Sequence, residues 1–246
     1  MYLLIVLPVW GECAPGALTV FPGGATLNRN PVLMIEGYGE CQSLIHRLGK
    51  QNAVYLTAGS KRIKLVVNEV RVGQFELTQA ILVPETVLDA GTTYRLQIDQ
   101  LPADYPIHRW NEAAKRTEEL VYVTNQKIDV QPPVVSRQPR EIGKTHISYG
   151  CGPEVTVNFD CPVSENESVL VKATVTDKRT GTSATYFLEP TNKQIKIGHG
   201  MCSGAFRLIP AGEYEVTFSF MDVSGNVMMS NAVPIQVKAP VNRSNE

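Results

Sequence analysis

The sequence predicts an all-β protein made of two tandem antiparallel β-sandwiches, and three observations carry that prediction. A strand signature occurs twice, about half the molecule apart: Ala90-Gly91-Thr92-Thr93-Tyr94-Arg95-Leu96-Gln97-Ile98-Asp99 is echoed by Ala211-Gly212-Glu213-Tyr214 through Asp222. Each copy places a Gly turn, a Tyr and then apolar/polar alternation, the period of a strand with one buried face. Short alternating runs separated by Gly, Pro, Asn and Asp recur along nearly the whole chain, which is the pattern of strands and turns. The length of 246 residues suits two sandwiches of roughly 100–120 residues each.

Residues 12–126 form the first expected unit. Pro22-Gly23-Gly24-Ala25 is a turn, followed by a strand from Val32 to Ile35. Ala53–Thr57 and Arg62–Val67 flank Ala58-Gly59-Ser60-Lys61, the mark of a hairpin. Phe75–Leu82, Tyr94–Asp99 and Leu120–Thr124 supply the remaining strands, and Asn111–Arg116 is the one stretch expected to turn as helix. Residues 127–138 read as a stiff connector, since Gln131-Pro132-Pro133 and Gln138-Pro139 do not fit a central strand. Residues 139–240 then run through strands at Val155–Phe159, Ser168–Thr176, Thr182–Leu188, Gln194–Ile197, Ala205–Leu208, Tyr214–Met221 and Val233–Val237. Residues 241–246 read as a frayed polar tail.

Composition narrows the function classes. A formal charge of −1 gives no electrostatic case for nucleic acid or an anionic membrane. No run approaches the roughly 18 apolar residues of a spanning helix. Residues 1–11, Met1 to Gly11, are uncharged and apolar, with the length of a signal-peptide hydrophobic region and a small residue at its end, although the basic leader segment is missing. Export, to the periplasm, the outer surface or the medium, is the expected fate.

Five cysteines without any Cys-x-x-Cys argue against a zinc ribbon or a redox motif. Cys41 and Cys161 sit at matching places, each just past an early strand of its unit. A Cys151–Cys161 bridge is geometrically poor, because the strand between them spans ~20 Å and a disulfide needs Cα atoms within ~7 Å. The expected pairs are Cys13 with Cys41 and Cys161 with Cys202, leaving Cys151 over.

Tyr214 to Met221, followed by Asp222-Val223-Ser224-Gly225-Asn226, resembles the last hairpin of bacterial immunoglobulin-like (Ig-like) domains. The opening Phe21-Pro22-Gly23-Gly24-Ala25-Thr26-Leu27, then Asn30-Pro31-Val32, resembles their first strand region and also the start of periplasmic copper-resistance sandwiches. The likeness covers most of residues 18–240 in pattern and implies two tandem Ig-like antiparallel β-sandwich domains. For Tyr94 and Tyr214 it implies a tyrosine-corner role, the ring packed and the hydroxyl tied to nearby backbone. For Asp222, Gly225 and Asn226 the expected role is a hairpin turn, one Asp and one Asn being too few ligands for calcium.

Catalytic signatures are thin. The four histidines show no metalloprotease spacing, and no nucleophile elbow or phosphate-binding glycine loop occurs. His199-Gly200-Met201-Cys202 carries soft metal ligands in sequence but reads as a turn beside a disulfide. No catalytic residue, metal site or cofactor is expected. The long loop from Leu101 to Thr117 holds Tyr105, His108, Arg109 and Trp110, residue types that dominate binding hot spots. The expected function is a non-enzymatic structural, binding or adhesive role in the bacterial envelope, toward an unknown protein or polysaccharide. The alternatives are a carbohydrate-binding accessory module, a periplasmic copper-handling protein and a chaperone-like sandwich.

Overall fold

The computed structural model describes residues 13–102, 105, 107–111, 115–163, 168–229 and 233–242. The expected leader, residues 1–11, lies outside them. Nearly every element is a strand in an antiparallel sheet.

The N-terminal half contains β1 (Gly16–Phe21), β2 (Thr26–Leu27), β3 (Leu33–Gly39), α1 (Gln42–Arg47), β4 (Val54–Ala58), β5 (Lys61–Val72), β6 (Leu77–Pro84), β7 (Thr93–Ile98), β8 (His108–Asn111), β9 (Arg116–Glu119) and β10 (Val121–Thr124). Eight of these strands form one sheet in the order β1-β3-β6-β5-β4-β7-β10-β2. β1 and β2 are neighbours in the chain yet occupy opposite ends of that order, the chain crossing between them at Pro22-Gly23-Gly24-Ala25. β5 makes the other crossing: it pairs β4 with its first half and β6 with its second, with a register shift between Val67 and Glu69. A bulge of that kind bends a strand, so the sheet folds over on itself. Leu33, Ile35, Ala80 and Leu82 of one layer then meet Val54, Leu56, Tyr94, Ile98 and Tyr122 of the other in one core.

The C-terminal half contains β11 (Glu141–Tyr149), β12 (Gly152–Asp160), β13 (Val169–Asp177), β14 (Ser183–Leu188), β15 (Gln194–His199), β16 (Glu213–Asp222), β17 (Val227–Met229) and β18 (Ile235–Lys238). One sheet runs β11-β12-β15; the other runs β14-β13-β16, with β17 and β18 both pairing β16. Alternation along β12 and β13 sends Val155, Val157, Phe159, Val171, Ala173 and Val175 into a shared core with Tyr186, Phe218 and Phe220. Two sheets facing one another across such a core are a β-sandwich.

Several expectations need correction. Of the stretch expected as helix, Asn111 and Arg116 are strand residues that pair across β8 and β9, and residues 112–114 lie outside the described residues. A helix forms instead at α1, where Leu44 and Ile45, with Leu48 after them, turn toward the core. Residues 205–208 are not a strand; Ala205, Phe206 and Leu208 are buried from an irregular segment. β1 and β11 are strands the sequence reading passed over. No helix among the described residues is long and apolar enough to cross a membrane.

Candidate functional site: the joint between the halves

The two repeated tyrosines do the same thing. Tyr94 on β7 accepts the Asp89 N–H at 3.1 Å, and Tyr214 on β16 accepts the Ile209 N–H at 2.7 Å. Both rings are buried, and each hydroxyl ties its strand to backbone five residues upstream. In the intervening turns the left-handed residue is Gly91 in the first copy and Ala211 in the second.

The Asp222–Asn226 turn is organised by its acid. Asp222 Oδ1 accepts the N–H groups of Ser224 at 2.8 Å and Asn226 at 2.9 Å, and Asn226 Nδ2 donates to Asp222 Oδ2 at 2.9 Å. The turn then reaches the N-terminal half. Val32 N–H donates to the Val223 carbonyl at 2.8 Å and Asn28 Nδ2 to Ser224 Oγ at 2.8 Å, while Asn226 Nδ2 donates to the carbonyl of Asp129 in the connector at 3.1 Å. Gly225 has φ 84°, and a Cβ there would lie 2.7 Å from Val32 Cγ2, so close approach requires glycine. The connector is held as well. Asn30 donates to the Asp129 carbonyl at 2.7 Å and accepts the Asp129 N–H at 3.0 Å.

Gln79 makes the central contact. It projects from β6, fully buried, toward Phe187 on β14, an edge strand of its sheet. Its Nε2 donates to the Phe187 carbonyl at 3.1 Å and its Oε1 accepts the Phe187 N–H at 2.8 Å. One side-chain amide thus satisfies both main-chain groups of an edge residue, as a neighbouring strand would. Around it Phe21, Val32, Met34 and Ile81 from the N-terminal half pack with Leu170, Phe187 and Met221 from the C-terminal half. Glu36 on β3 accepts the Tyr186 hydroxyl at 2.9 Å. Burial pushes the Glu36 carboxyl above the usual range, only partly offset by Tyr186 and Gln79 and reinforced by the Glu189 charge. Burial raises Glu189 too. Tyr186 is pushed far up by burial, then by the Glu36 carboxylate.

The cysteines correct the expected pairing. Cys13 is bonded to Cys202, with Cα atoms 5.8 Å apart; neither Cys13–Cys41 nor Cys161–Cys202 forms. Cys41 is buried beneath the start of α1, and burial raises its thiol and that of Cys161. Cys151 is exposed, on the same surface depression as Cys13 and Cys202. The bond therefore crosses between the halves instead of closing a loop within either. Beside it Phe75 and Gly204 exchange main-chain bonds at 3.1 and 2.8 Å, and Arg207 N–H donates to Gln74 Oε1 at 2.8 Å. His199 packs edge-on against Phe75 at 5.7 Å. With Cys202 in a disulfide, the His199–Cys202 run offers a metal no thiolate.

The aromatic loop gives less. Tyr105 donates its N–H to the Pro102 carbonyl at 3.0 Å and its hydroxyl to Glu40 at 3.4 Å. His108, Arg109 and Trp110 lie on β8, their side chains outside the described residues. The joint residues Gln79, Glu36, Asn28 and Asn30 were missed by sequence reasoning. The available signal was a polar Gln79 inside the run Leu77-Thr78-Gln79-Ala80-Ile81-Leu82.

Fold and joint define an all-β protein of antiparallel sheets whose halves meet through main-chain, side-chain and covalent contacts. No family model matches the chain, and no curated protein matches its sequence. Among solved structures it is similar to type I pullulanase from Bacillus subtilis str. 168, at 11% identity over 96% of this chain and 28% of that one, with TM-score 0.26. It is similar to the FN1–FN3 domains of chicken CNTN1 at 10% identity over 89% of this chain and 66% of that one, with TM-score 0.26. A third is the surface layer protein SbsC, domains 1–6, at 12% identity over 89% and 34%, with TM-score 0.27. The chain spans about a quarter of the pullulanases' length.

Proposed function

We propose that this chain is a non-enzymatic structural or binding protein of an extracytoplasmic surface, the bacterial envelope. Two Ig-like sandwiches, residues 12–126 and 139–240, are held rigidly so that their loops are presented at fixed spacing. The observation that carries this reading is Gln79 capping the β14 edge at Phe187, which closes an edge and ties the halves together at once. The Cys13–Cys202 bond supports the compartment, because structural disulfides persist in oxidising environments. Its partner is a protein or polysaccharide of the envelope. Peptide mapping without reductant, on chain isolated from its native cells, tests the placement. A linked peptide pair containing Cys13 and Cys202 is expected; both cysteines recovered as alkylated thiols would overturn it.

A further inference from the structure

The outward face of the β14-β13-β16 sheet carries a group of hydroxyls. Because Val171, Ala173 and Val175 point into the core, Lys172, Thr174 and Thr176 point out, and register places Ser219 and Phe187 beside Lys172, and Thr217 and Thr185 beside Thr174. Thr174 and Thr185 hydroxyls are 2.8 Å apart, as are those of Thr176 and Ser183. At the joint this floor, which also carries Phe187, Met221 and Val227, meets a wall, Asn68 and Glu69 at the β5 bulge, and the two border a cleft of about 510 Å³. That is within the ~300–1,000 Å³ of small-ligand sites.

The cleft lining carries one acid, Glu69, and one base, Lys172. Arg71 pairs with Glu69 along β5, while Lys172 has no carboxylate partner among the described residues and sits 5.5 Å from the Phe187 ring. Burial, then the Arg71 charge, pushes the Lys172 ammonium down from its ordinary value. A bound anion beside Lys172 would relieve that cost.

We propose that this cleft binds an acidic polysaccharide, a carboxylate of the sugar pairing with Lys172 while ring hydroxyls lie along Thr174, Thr217 and Ser219. Threonine and serine hydroxyls both donate and accept, as sugar hydroxyls do. An extended peptide would need an open strand edge, and the edge beside the cleft is capped by Gln79 at Phe187. The wall belongs to β5, so the site rests on the joint described above.

Calorimetric titration of the full chain with hexagalacturonate, maltohexaose and hexaglutamate tests the proposal. Hexagalacturonate is expected to bind, and at least tenfold more tightly than the other two. Lys172→Gln is expected to weaken it by about tenfold or more, the usual consequence of losing a hydrogen bond to a charged group. Because that variant removes a half-buried charge beside Arg71, its urea midpoint stays or rises, separating lost binding from lost fold. Thr217→Tyr, at an exposed position, fills the cleft and weakens binding independently. Equal binding of hexaglutamate overturns the saccharide, equal binding of maltohexaose overturns the role of Lys172, and no binding at millimolar hexagalacturonate overturns the site. If the halves nonetheless tumble as one body, the joint stands and only the ligand falls.

Discussion

Gln79→Ala removes both amide contacts to the Phe187 main chain, at 3.1 and 2.8 Å, from a place where both residues are buried. The loss is asymmetric. The Phe187 N–H and carbonyl remain behind without their partners, and each stranded buried group costs about 1–3 kcal/mol. Water entering the space vacated by the amide satisfies part of this, so the net destabilisation is about 2–4 kcal/mol. For a chain of this size that lowers Tm by about 4–16 °C. Urea unfolding followed by tryptophan fluorescence and far-UV dichroism is the assay. A second consequence is decoupling: one shared transition in the parent becomes two in the variant, since each half retains its own core. A change below about 0.5 kcal/mol with a single transition would refute the reasoning, because it is the size of an ordinary surface substitution.

Three further outcomes are expected. Glu36 has a folded-state pKa raised by burial, so the folded chain binds more protons than the unfolded one above the usual carboxylate range, and stability falls as pH rises through that window; Glu36→Gln should flatten the fall in urea midpoint as pH rises above the usual carboxylate range. Asp129 and Asp160, lowered chiefly by hydrogen bonds from Lys127 and Arg137, act oppositely and only at more acidic pH. Reducing the Cys13–Cys202 bond, whose partners are 189 residues apart, should cost about 2–5 kcal/mol in urea, and an effect below about 1 kcal/mol would contradict its place in the joint. Tyr94→Phe and Tyr214→Phe should each cost about 1–2 kcal/mol in thermal unfolding, by leaving the Asp89 and Ile209 N–H groups unpaired.

Strands whose two faces differ were legible in the sequence. β7 and β16 alternate cleanly because one face is core and the other solvent. β11 was passed over because it is an edge strand with both faces largely exposed, its Ile142, Ile147 and Tyr149 facing outward, so burial imposes no period on it. α1, at six residues, is too short for helical periodicity, and its position rests on tertiary packing of Leu44 and Ile45. The disulfide was misread for a related reason. Matching positions of Cys41 and Cys161 invite a repeat-by-repeat pairing, whereas the bond that forms depends on how the halves sit together. The joint was invisible on the same ground: Gln79 looks like one polar residue in a strand until Phe187 of the other half stands opposite it.

Residual dipolar couplings measured on the oxidised chain test the central claim most directly, since they report whether two groups of amides share one orientation. Amides of the N-terminal sheet, residues 16–124, and of the C-terminal sheets, residues 141–238, should fit a single alignment tensor with the relative orientation described here. Two tensors of different magnitude, one for each half, would contradict a rigid joint.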